Sequence, residues 1–354
     1  MAKVLLHSVT LDDPPVGPPP EPKDNLHQGK WQQGAYTLLR ESAQNDPFKV
    51  HTLVDDPAEA DIIVFAELAA QGPFTEWVRH HPLVKKYREK CFLFDIDDYS
   101  LPFLPGLYAS LRKGYANPGR NRTGYYLRID ENPYIEFRPM PEEFRYLACF
   151  VGSLENHPVR AELARLASDQ VASDQILVQD TSAFAKTMMF GATPEEKHQA
   201  FWPKYADLMA SGAFSLCPRG RGPGSIRLFE AMRMGRCPVI IADEWVYPER
   251  VDWKACSLTV AEKDIAGIPE LLAQNLHRAA ELGAEARRQW EKFYAPEVRF
   301  HWLAEDCLAI RANRRMPEAI AEKLVWRYLV NGQILRRYIS TKKKIYREAH
   351  QILL

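Results

Sequence analysis

The segment from residue 214 to residue 242 restricts the fold of this chain more than any other part of its sequence. An apolar run leads into the loop Cys217-Pro-Arg-Gly-Arg-Gly-Pro-Gly, and a helical stretch follows that ends near Gly235. The apolar run Cys237-Pro-Val-Ile-Ile-Ala comes directly after it. The order of a strand, a glycine loop, a helix and a second strand is typical of α/β proteins.

The same alternation recurs along the 354 residues and predicts two domains of ~150 residues each. Apolar runs at 4–9, 61–66 and 91–94 form a first series, and the run at 146–152 opens a second. The Gly-, Asn- and Arg-rich stretch 114–132 shows no clear period and is interpreted as a linker or crossover. We expect an N-terminal domain over residues 1–141, a second domain over 142–315 and a helical extension over 316–354. The simplest architecture is two Rossmann-like domains that face a central cleft.

Composition excludes several classes of protein. The 46 basic and 46 acidic residues give a net charge of zero, so we expect no nucleic-acid partner. The six cysteines show no metal-ligand spacing, which indicates free thiols in a reducing compartment. The start of the chain lacks the apolar core of a signal peptide, and no stretch of ~18 apolar residues is present. These features predict a cytoplasmic protein.

The loop between the two strands at 214–242 has the residues of an anion site. Gly220, Gly222 and Gly224 allow backbone N–H groups to approach a ligand closely. Ser225 is a suitable N-cap residue, and Gly235 is a suitable residue to end the helix. Because the first N–H groups of a helix lack intrahelical partners, such a terminus binds anions.

Three arginines, Arg219, Arg221 and Arg227, lie at the same end of this helix. Positive side chains beside the positive end of a helix dipole are unfavourable unless an anion lies between them, so we predict a phosphate or diphosphate ligand. Glu230 lies about one and a half turns into the helix, where a carboxylate can accept hydrogen bonds from ribose hydroxyls. The alternative is a solvated basic loop in which Glu230 pairs with Arg227 or Arg233. The loop matches neither a Walker motif nor a dinucleotide fingerprint.

This segment resembles the signature of exostosin-type glycosyltransferases. The likeness rests on Cys-Pro-Arg-Gly, on Gly-Ser-x-Arg-x-x-Glu-Ala, on the Gly-x-x-Pro-Val strand and on Trp245, Pro248 and Val251-Asp-Trp. Phe150-Val-Gly and Arg160 resemble the strand and helix that open the donor domain of the family. The resemblance covers residues 146–275, and it is limited to short matches in the N-terminal half.

The resemblance implies a GT-B fold and a nucleoside diphosphate sugar, with a UDP-sugar favoured, bound to the second domain. It also implies inverting transfer of a hexosyl, uronosyl or pentosyl group without an essential metal or other cofactor. The membrane anchor and second catalytic domain of the animal exostosins are absent from this sequence. That difference favours synthesis of a surface or secreted polysaccharide over heparan-type polymerisation, with a glycan or lipid-linked glycan as acceptor.

Inverting transfer needs a group that takes the proton of the acceptor hydroxyl. The GT-B arrangement implies that this base belongs to the N-terminal domain. Asp98, in the segment Asp95-Ile-Asp-Asp, is the predicted base, and Glu67 is the second candidate. The Asp-x-Asp pattern is also open to interpretation as a turn or as a metal ligand. His80 and His81 are interpreted as surface or packing residues.

The end of the chain is basic, with lysines and arginines between residues 336 and 347 and two interleaved tyrosines. A solvated helix face is one interpretation, and a patch that binds the inner face of the membrane is another.

Two alternatives to a glycosyltransferase stay open for the whole chain. One is another nucleotide-dependent Rossmann-like enzyme, such as an epimerase. The other is a catalytically inactive module that binds nucleotide sugars or polyanions.

Overall fold

The computed structural model describes residues 1–12, 34–67, 73–128, 131–168, 175–189 and 195–324, together with Ile339. The strands are β1 (Lys3–His7), β2 (Thr52–Leu53), β3 (Ile62–Glu67), β4 (Cys91–Asp95), β5 (Gly106–Tyr108), β6 (Asn121–Thr123), β7 (Tyr146–Gly152), β8 (Ile176–Asp180), β9 (Gly212–Pro218), β10 (Cys237–Ile241) and β11 (Leu258–Thr259). The α-helices are α1 (Gly34–Gln44), α2 (Pro73–His80), α3 (Pro82–Tyr87), α4 (Pro158–Ala167), α5 (Ser182–Met189), α6 (Glu195–Ala210), α7 (Ile226–Met234), α8 (Trp253–Cys256), α9 (Ile268–Asn275), α10 (Ala279–Phe293), α11 (Arg299–Ala312) and α12 (Glu318–Ala321).

The chain forms two compact units. The first unit contains Met1–Ile129, Val246–Pro248 and Ala295–Leu354, and the second contains Asp130–Trp245 and Glu249–Tyr294. Helix α11 lies in the first unit, where it packs against α1 and β5, whereas the sequence analysis ends the second domain at residue 315. An amphipathic pattern indicates that one face of a helix is buried, but it does not indicate which of the two sheets the helix packs against.

The first unit is built on a parallel sheet with the strand order β2-β1-β3-β4-β5-β6. Val4 pairs with Ile62, Ile63 with Cys91, and Leu93 with Gly106. Strand β3, Ile-Ile-Val-Phe-Ala-Glu, is buried along its whole length, as the central strand of a sheet covered on both faces must be. The interpretation of residues 114–132 as a linker is wrong at β6, which forms the edge of this sheet.

The second unit is built on a parallel sheet with the order β11-β10-β9-β7-β8. Phe214 of β9 pairs with Cys237 of β10, and α7 packs on both strands. The predicted strand–helix–strand unit of residues 214–242 is therefore confirmed, as is the α/β class. Each unit is a parallel sheet with helices packed on it, the Rossmann-like element from which the GT-B fold is built.

The remaining structural expectations concern cysteines and membrane spans. All six cysteines are buried free thiols. Within the ranges given above, no helix combines the length and the apolar character that crossing a membrane requires.

Candidate active site

The carboxyl ends of the strands of the second sheet carry polar residues. Ser153 follows β7, Ser182 opens the helix after β8, and Arg219 follows β9. Glu262 lies a few residues beyond β11. Ligands of open parallel sheets bind outside these ends, so this edge is where the structure offers a site.

The glycine loop is closed by backbone hydrogen bonds. Arg219 N donates to Ile241 O at 3.0 Å, and Gly220 N donates to Gly224 O at 3.2 Å. Gly222 and Gly224 are buried. Ser225 takes the predicted N-cap position of α7, yet its side chain makes no capping hydrogen bond. The loop therefore brings a compact backbone turn directly to the start of a helix.

Arg160 on α4 supports this turn through hydrogen bonds to main-chain carbonyls. Its guanidinium donates to Ser153 O at 2.9 Å, to Pro218 O at 3.2 Å and to Arg219 O at 2.8 Å. The residue is 5% exposed, and its guanidinium lies over the ring of Phe150. One buried cation thus connects the carboxyl ends of β7 and β9. The sequence analysis noticed Arg160 only through the family resemblance.

Arg219 points its guanidinium toward two carboxylates. Its Nη1 lies 3.4 Å from Glu262 Oε1 and 3.5 Å from Glu244 Oε2. Glu262 is itself held by Asp243, because each backbone N–H of this pair donates to the carboxylate of the other residue. Arg219 is therefore oriented before any ligand binds.

The other two predicted arginines have different surroundings. Arg221 is exposed, and its Nε donates to Asn156 Oδ1 at 3.2 Å. Arg227 donates from Nε to Val151 O at 2.9 Å, and its guanidinium lies over the ring of Tyr205. Of the three, Arg219 and Arg227 are anchored to the edge of the sheet, and Arg221 extends into solvent.

Glu230 is held from a second helix. Its Oε2 accepts the hydroxyl of Tyr205 on α6 at 2.5 Å and lies 3.8 Å from Arg227 Nε. Burial, the largest effect, raises the pKa of Tyr205 well above its usual value, so this hydroxyl stays protonated as a donor. Arg233 pairs with Glu131 at 3.1 Å, and the alternative pairing of Glu230 is seen with Arg227. Nothing in the sequence connects Tyr205 with Glu230, 25 residues later on another helix.

Two buried polar atoms at the loop have no hydrogen-bond partner among the described residues: Arg219 Nε and Ser225 Oγ. The two residues are 6% and 7% exposed. Because buried polar groups are nearly always satisfied in native proteins, these atoms indicate a position for a ligand. A guanidinium N–H and a hydroxyl at a helix N-terminus are both suited to phosphate oxygens.

In the first unit, the predicted base Asp98 follows β4. Its Oδ1 accepts the hydroxyl of Tyr126 at 3.0 Å, and the same hydroxyl lies 2.7 Å from Ser110 Oγ. Asp95 and Asp97 each accept a backbone N–H two residues ahead, which is the geometry of the turn interpretation.

Glu67, the second candidate base, ends β3 and is fully buried. Its carboxylate accepts Val9 N at 2.9 Å and Ser8 Oγ at 3.2 Å. The assignment of Asp98 or Glu67 as the catalytic base stays a prediction.

Two segments that the sequence analysis would place on the surface lie outside the described residues. They are the basic tail of residues 336–347, except for Ile339, and nearly all of the proline-rich stretch that begins at residue 12.

The region that contains this site is similar to known proteins. Residues 131–275 match the family model of the exostosin GT47 domain. The Exostosin-1 homolog of Caenorhabditis elegans is 41% identical over 93 residues, which cover 25% of this chain and 24% of that protein. A probable glucuronosyltransferase of Oryza sativa subsp. japonica, Os03g0107900, is 33% identical over 140 residues, which cover 38% of this chain and 30% of that protein.

Among solved structures, TarM is similar with a TM-score of 0.39 and 10% identity, over 70% of this chain and 54% of TarM. The chain spans less than a third of the length of the curated relatives given above. The matched region contains the glycine loop, α7 and the arginines around them. Residues 131–275 therefore match an exostosin GT47 domain, and through this region the chain is similar to the exostosin-like glycosyltransferases.

Proposed function

We propose that this protein is an inverting glycosyltransferase that moves a sugar from a nucleoside diphosphate to a hydroxyl of a glycan. The observation that carries the proposal is the arrangement along α7. A glycine loop lies at the start of this helix with two buried groups that have no partner among the described residues, Arg219 Nε and Ser225 Oγ. A carboxylate held by a tyrosine lies about one and a half turns further along.

The two ends of this arrangement suit the two halves of a nucleoside diphosphate. The backbone N–H groups of Gly222, Gly224 and Ser225, together with Arg219 and Arg227, would bind the diphosphate. Glu230 would accept hydrogen bonds from the ribose hydroxyls, as a carboxylate whose position is fixed by Tyr205 can do. An arginine held in advance is suited to a leaving group whose negative charge grows in the transition state. Activity is expected without a bound metal, since these groups supply the positive charge.

The identity of the donor and the acceptor belongs to the same proposal. UDP-sugars come first, and the rice relative described as a probable glucuronosyltransferase makes UDP-glucuronate the first donor to test. We propose a glycan or lipid-linked glycan as acceptor, in the synthesis of a surface or secreted polysaccharide. We also propose a cytoplasmic enzyme that meets the inner face of the membrane through its basic tail.

Calorimetry with UDP, GDP, CDP and inorganic pyrophosphate tests the site, and a radiolabelled transfer assay tests the reaction. Arg219→Ala should weaken UDP and pyrophosphate alike by about ten- to a hundredfold, since a charge-assisted hydrogen bond contributes roughly 1.5–3 kcal/mol. The matched control is Arg288→Ala, an exposed arginine on α10 whose partner is Glu285. Nucleotide binding without sugar transfer from any donor would instead support the inactive binding module.

A further inference from the structure

Residues 313–324, which follow α11, are held against the rest of the first unit by a buried ion pair. Glu318 on α12 is 1% exposed and pairs with Arg120. The same guanidinium donates to Ala321 O at 3.3 Å and to Phe103 O at 3.1 Å. Because breaking this pair would leave an uncompensated buried charge, it fixes which side of α12 faces the protein.

The second acidic residue of this segment is also paired with an arginine of the first unit. Glu322 is half-buried, and its Oε2 lies 2.8 Å from Arg88 Nη1. The neighbouring Glu89 accepts Arg314 Nη1 at 2.7 Å and the backbone N–H of Glu318 at 2.8 Å. Both negative charges of the segment are therefore neutralised on the side that contacts the protein.

The opposite side of the segment is apolar and basic. Three large apolar side chains are exposed at intervals of four residues: Met316 by 40%, Ile320 by 52% and Leu324 by 37%. The other exposed residues between 315 and 324 are Arg315, Pro317, Ala319 and Lys323. A helix at a protein surface normally presents polar residues to water, so a row of exposed apolar side chains indicates a surface that contacts something else.

The sequence from 325 to 347 continues this composition. All of its charged residues are basic, and they alternate with apolar and aromatic residues such as Trp326 and Ile345. An anionic bilayer suits both features, because apolar side chains enter the boundary between headgroups and acyl chains while lysines and arginines contact anionic headgroups. A second copy of this chain would bring two positively charged segments together, and a nucleic acid would leave the apolar row in water.

We propose that residues 315–324 form a membrane-contact face of the first unit, which inserts Met316, Ile320 and Leu324 into the headgroup region of an anionic bilayer. This inference rests on the membrane contact in the proposed function and adds a defined apolar face to the basic tail. Because Glu318 and Glu322 hold the segment on the protein, this face would attach the folded first unit to the surface where a lipid-linked acceptor is found.

Sedimentation of the full chain with vesicles tests this face. Vesicles of phosphatidylcholine alone are compared with vesicles of phosphatidylcholine and phosphatidylglycerol in equal parts. We expect the wild-type protein to bind the anionic vesicles at least about tenfold more tightly. Combining Ile320→Ser with Leu324→Ser should weaken that binding about twentyfold, since the exposed part of each side chain no longer gains by leaving water. The matched control is Leu276→Ser, a leucine of the second unit that is 36% exposed, and it should bind vesicles as the wild type does.

A fluorescent probe on the face supplies a second measurement, which a contact through the basic tail alone would not produce. All six cysteines of the protein are buried, so a thiol introduced by Ile320→Cys can be labelled selectively with an environment-sensitive fluorophore. We expect the emission of this label to shift to the blue on anionic vesicles. The same label introduced by Leu276→Cys should show no shift.

Several results would overturn the inference. They are a wild-type protein that does not bind anionic vesicles, an Ile320→Ser and Leu324→Ser double variant that binds them normally, and a label at residue 320 that stays in water. A dimer in analytical ultracentrifugation that the double variant loses would assign the face to a second copy, and loss of binding to single-stranded RNA would assign it to a nucleic acid. UDP affinity is measured in parallel, and a protein that binds vesicles but no UDP would contradict the proposed donor site and not this face.

Discussion

Replacing Arg160 with lysine tests whether the glycine loop depends on the buried cation behind it. The guanidinium makes three hydrogen bonds to main-chain carbonyls, at 2.8 to 3.2 Å, from a position that is 5% exposed. A lysine ammonium is a point donor, so it cannot reach Ser153 O on one strand end and Arg219 O on the other together. Two of the three bonds are lost, and buried carbonyls are left without partners.

The expected cost follows from these contacts. A hydrogen bond to a charged group contributes about 1.5–3 kcal/mol, and the lower end applies where water can replace a lost donor. Two lost bonds therefore lower the free energy of unfolding by about 3 kcal/mol. For a unit of this size, that loss lowers Tm by roughly 6–12 °C. UDP affinity should also fall about tenfold, because the loop that presents Arg219 loses its support.

Differential scanning calorimetry and UDP titration measure the two effects. Arg165→Lys is the matched control, since Arg165 lies on the same helix with 77% of its side chain exposed and only a 4.0 Å pair to Glu162. Such a surface pair contributes at most about 1 kcal/mol, so the control should melt within about 4 °C of wild type. An Arg160→Lys protein that melts with the control and binds UDP normally would refute the role given to Arg160.

Three further predictions concern the same unit. Glu230→Gln should weaken UDP about tenfold and leave inorganic pyrophosphate unchanged, because the contact proposed for this carboxylate is with ribose hydroxyls and not with phosphate. Equal effects on both ligands in calorimetry would refute this placement. Gly235→Ala should lower the free energy of unfolding by about 1–2 kcal/mol in denaturant titration. Gly235 has φ +79°, and an added Cβ would lie 2.9 Å from the Phe137 ring, so alanine would be strained at this position. An unchanged unfolding midpoint would contradict this backbone strain. Transfer should survive excess EDTA, and complete loss restored by manganese would move the diphosphate site to Asp95 and Asp97.

The parts of the fold that the sequence predicts are those that the sheets bury most deeply. Strands β3, β4, β9 and β10 have every residue buried, so they are continuous apolar runs in the sequence. Three of the edge strands, β2, β6 and β11, have two or three residues each, some of them polar, and leave no such run. Asn121 shows the reason: it is buried through a hydrogen bond from its side chain to Tyr115 O, which hydropathy does not register.

In the candidate site, the residues close together in sequence were predictable, and the contacts between residues far apart in sequence were not. The glycines, Ser225, Arg219 and Glu230 lie within twelve residues of one another, so their spacing alone predicts an anion site on a helix. Their supports come from far along the chain: Arg160 donates to Arg219 O across 59 residues, and Arg227 donates to Val151 O across 76. Partners so distant leave no periodic or spacing signal, and only the folded chain brings them together.

Arg219 shows what the sequence omits even at a residue that it identifies. Its charge and position predict a phosphate contact, yet in the structure two carboxylates lie near the same Nη1. A buried guanidinium without counter-charge would be costly, so the protein supplies carboxylates where a ligand is expected. The two are unequal, because Glu262 is held by Asp243 and 21% exposed, whereas Glu244 is 54% exposed. If a diphosphate binds at Arg219 as proposed, we expect it to compete with the exposed Glu244 for this guanidinium, because exposed ion pairs contribute little, while the less exposed Glu262 keeps Arg219 oriented.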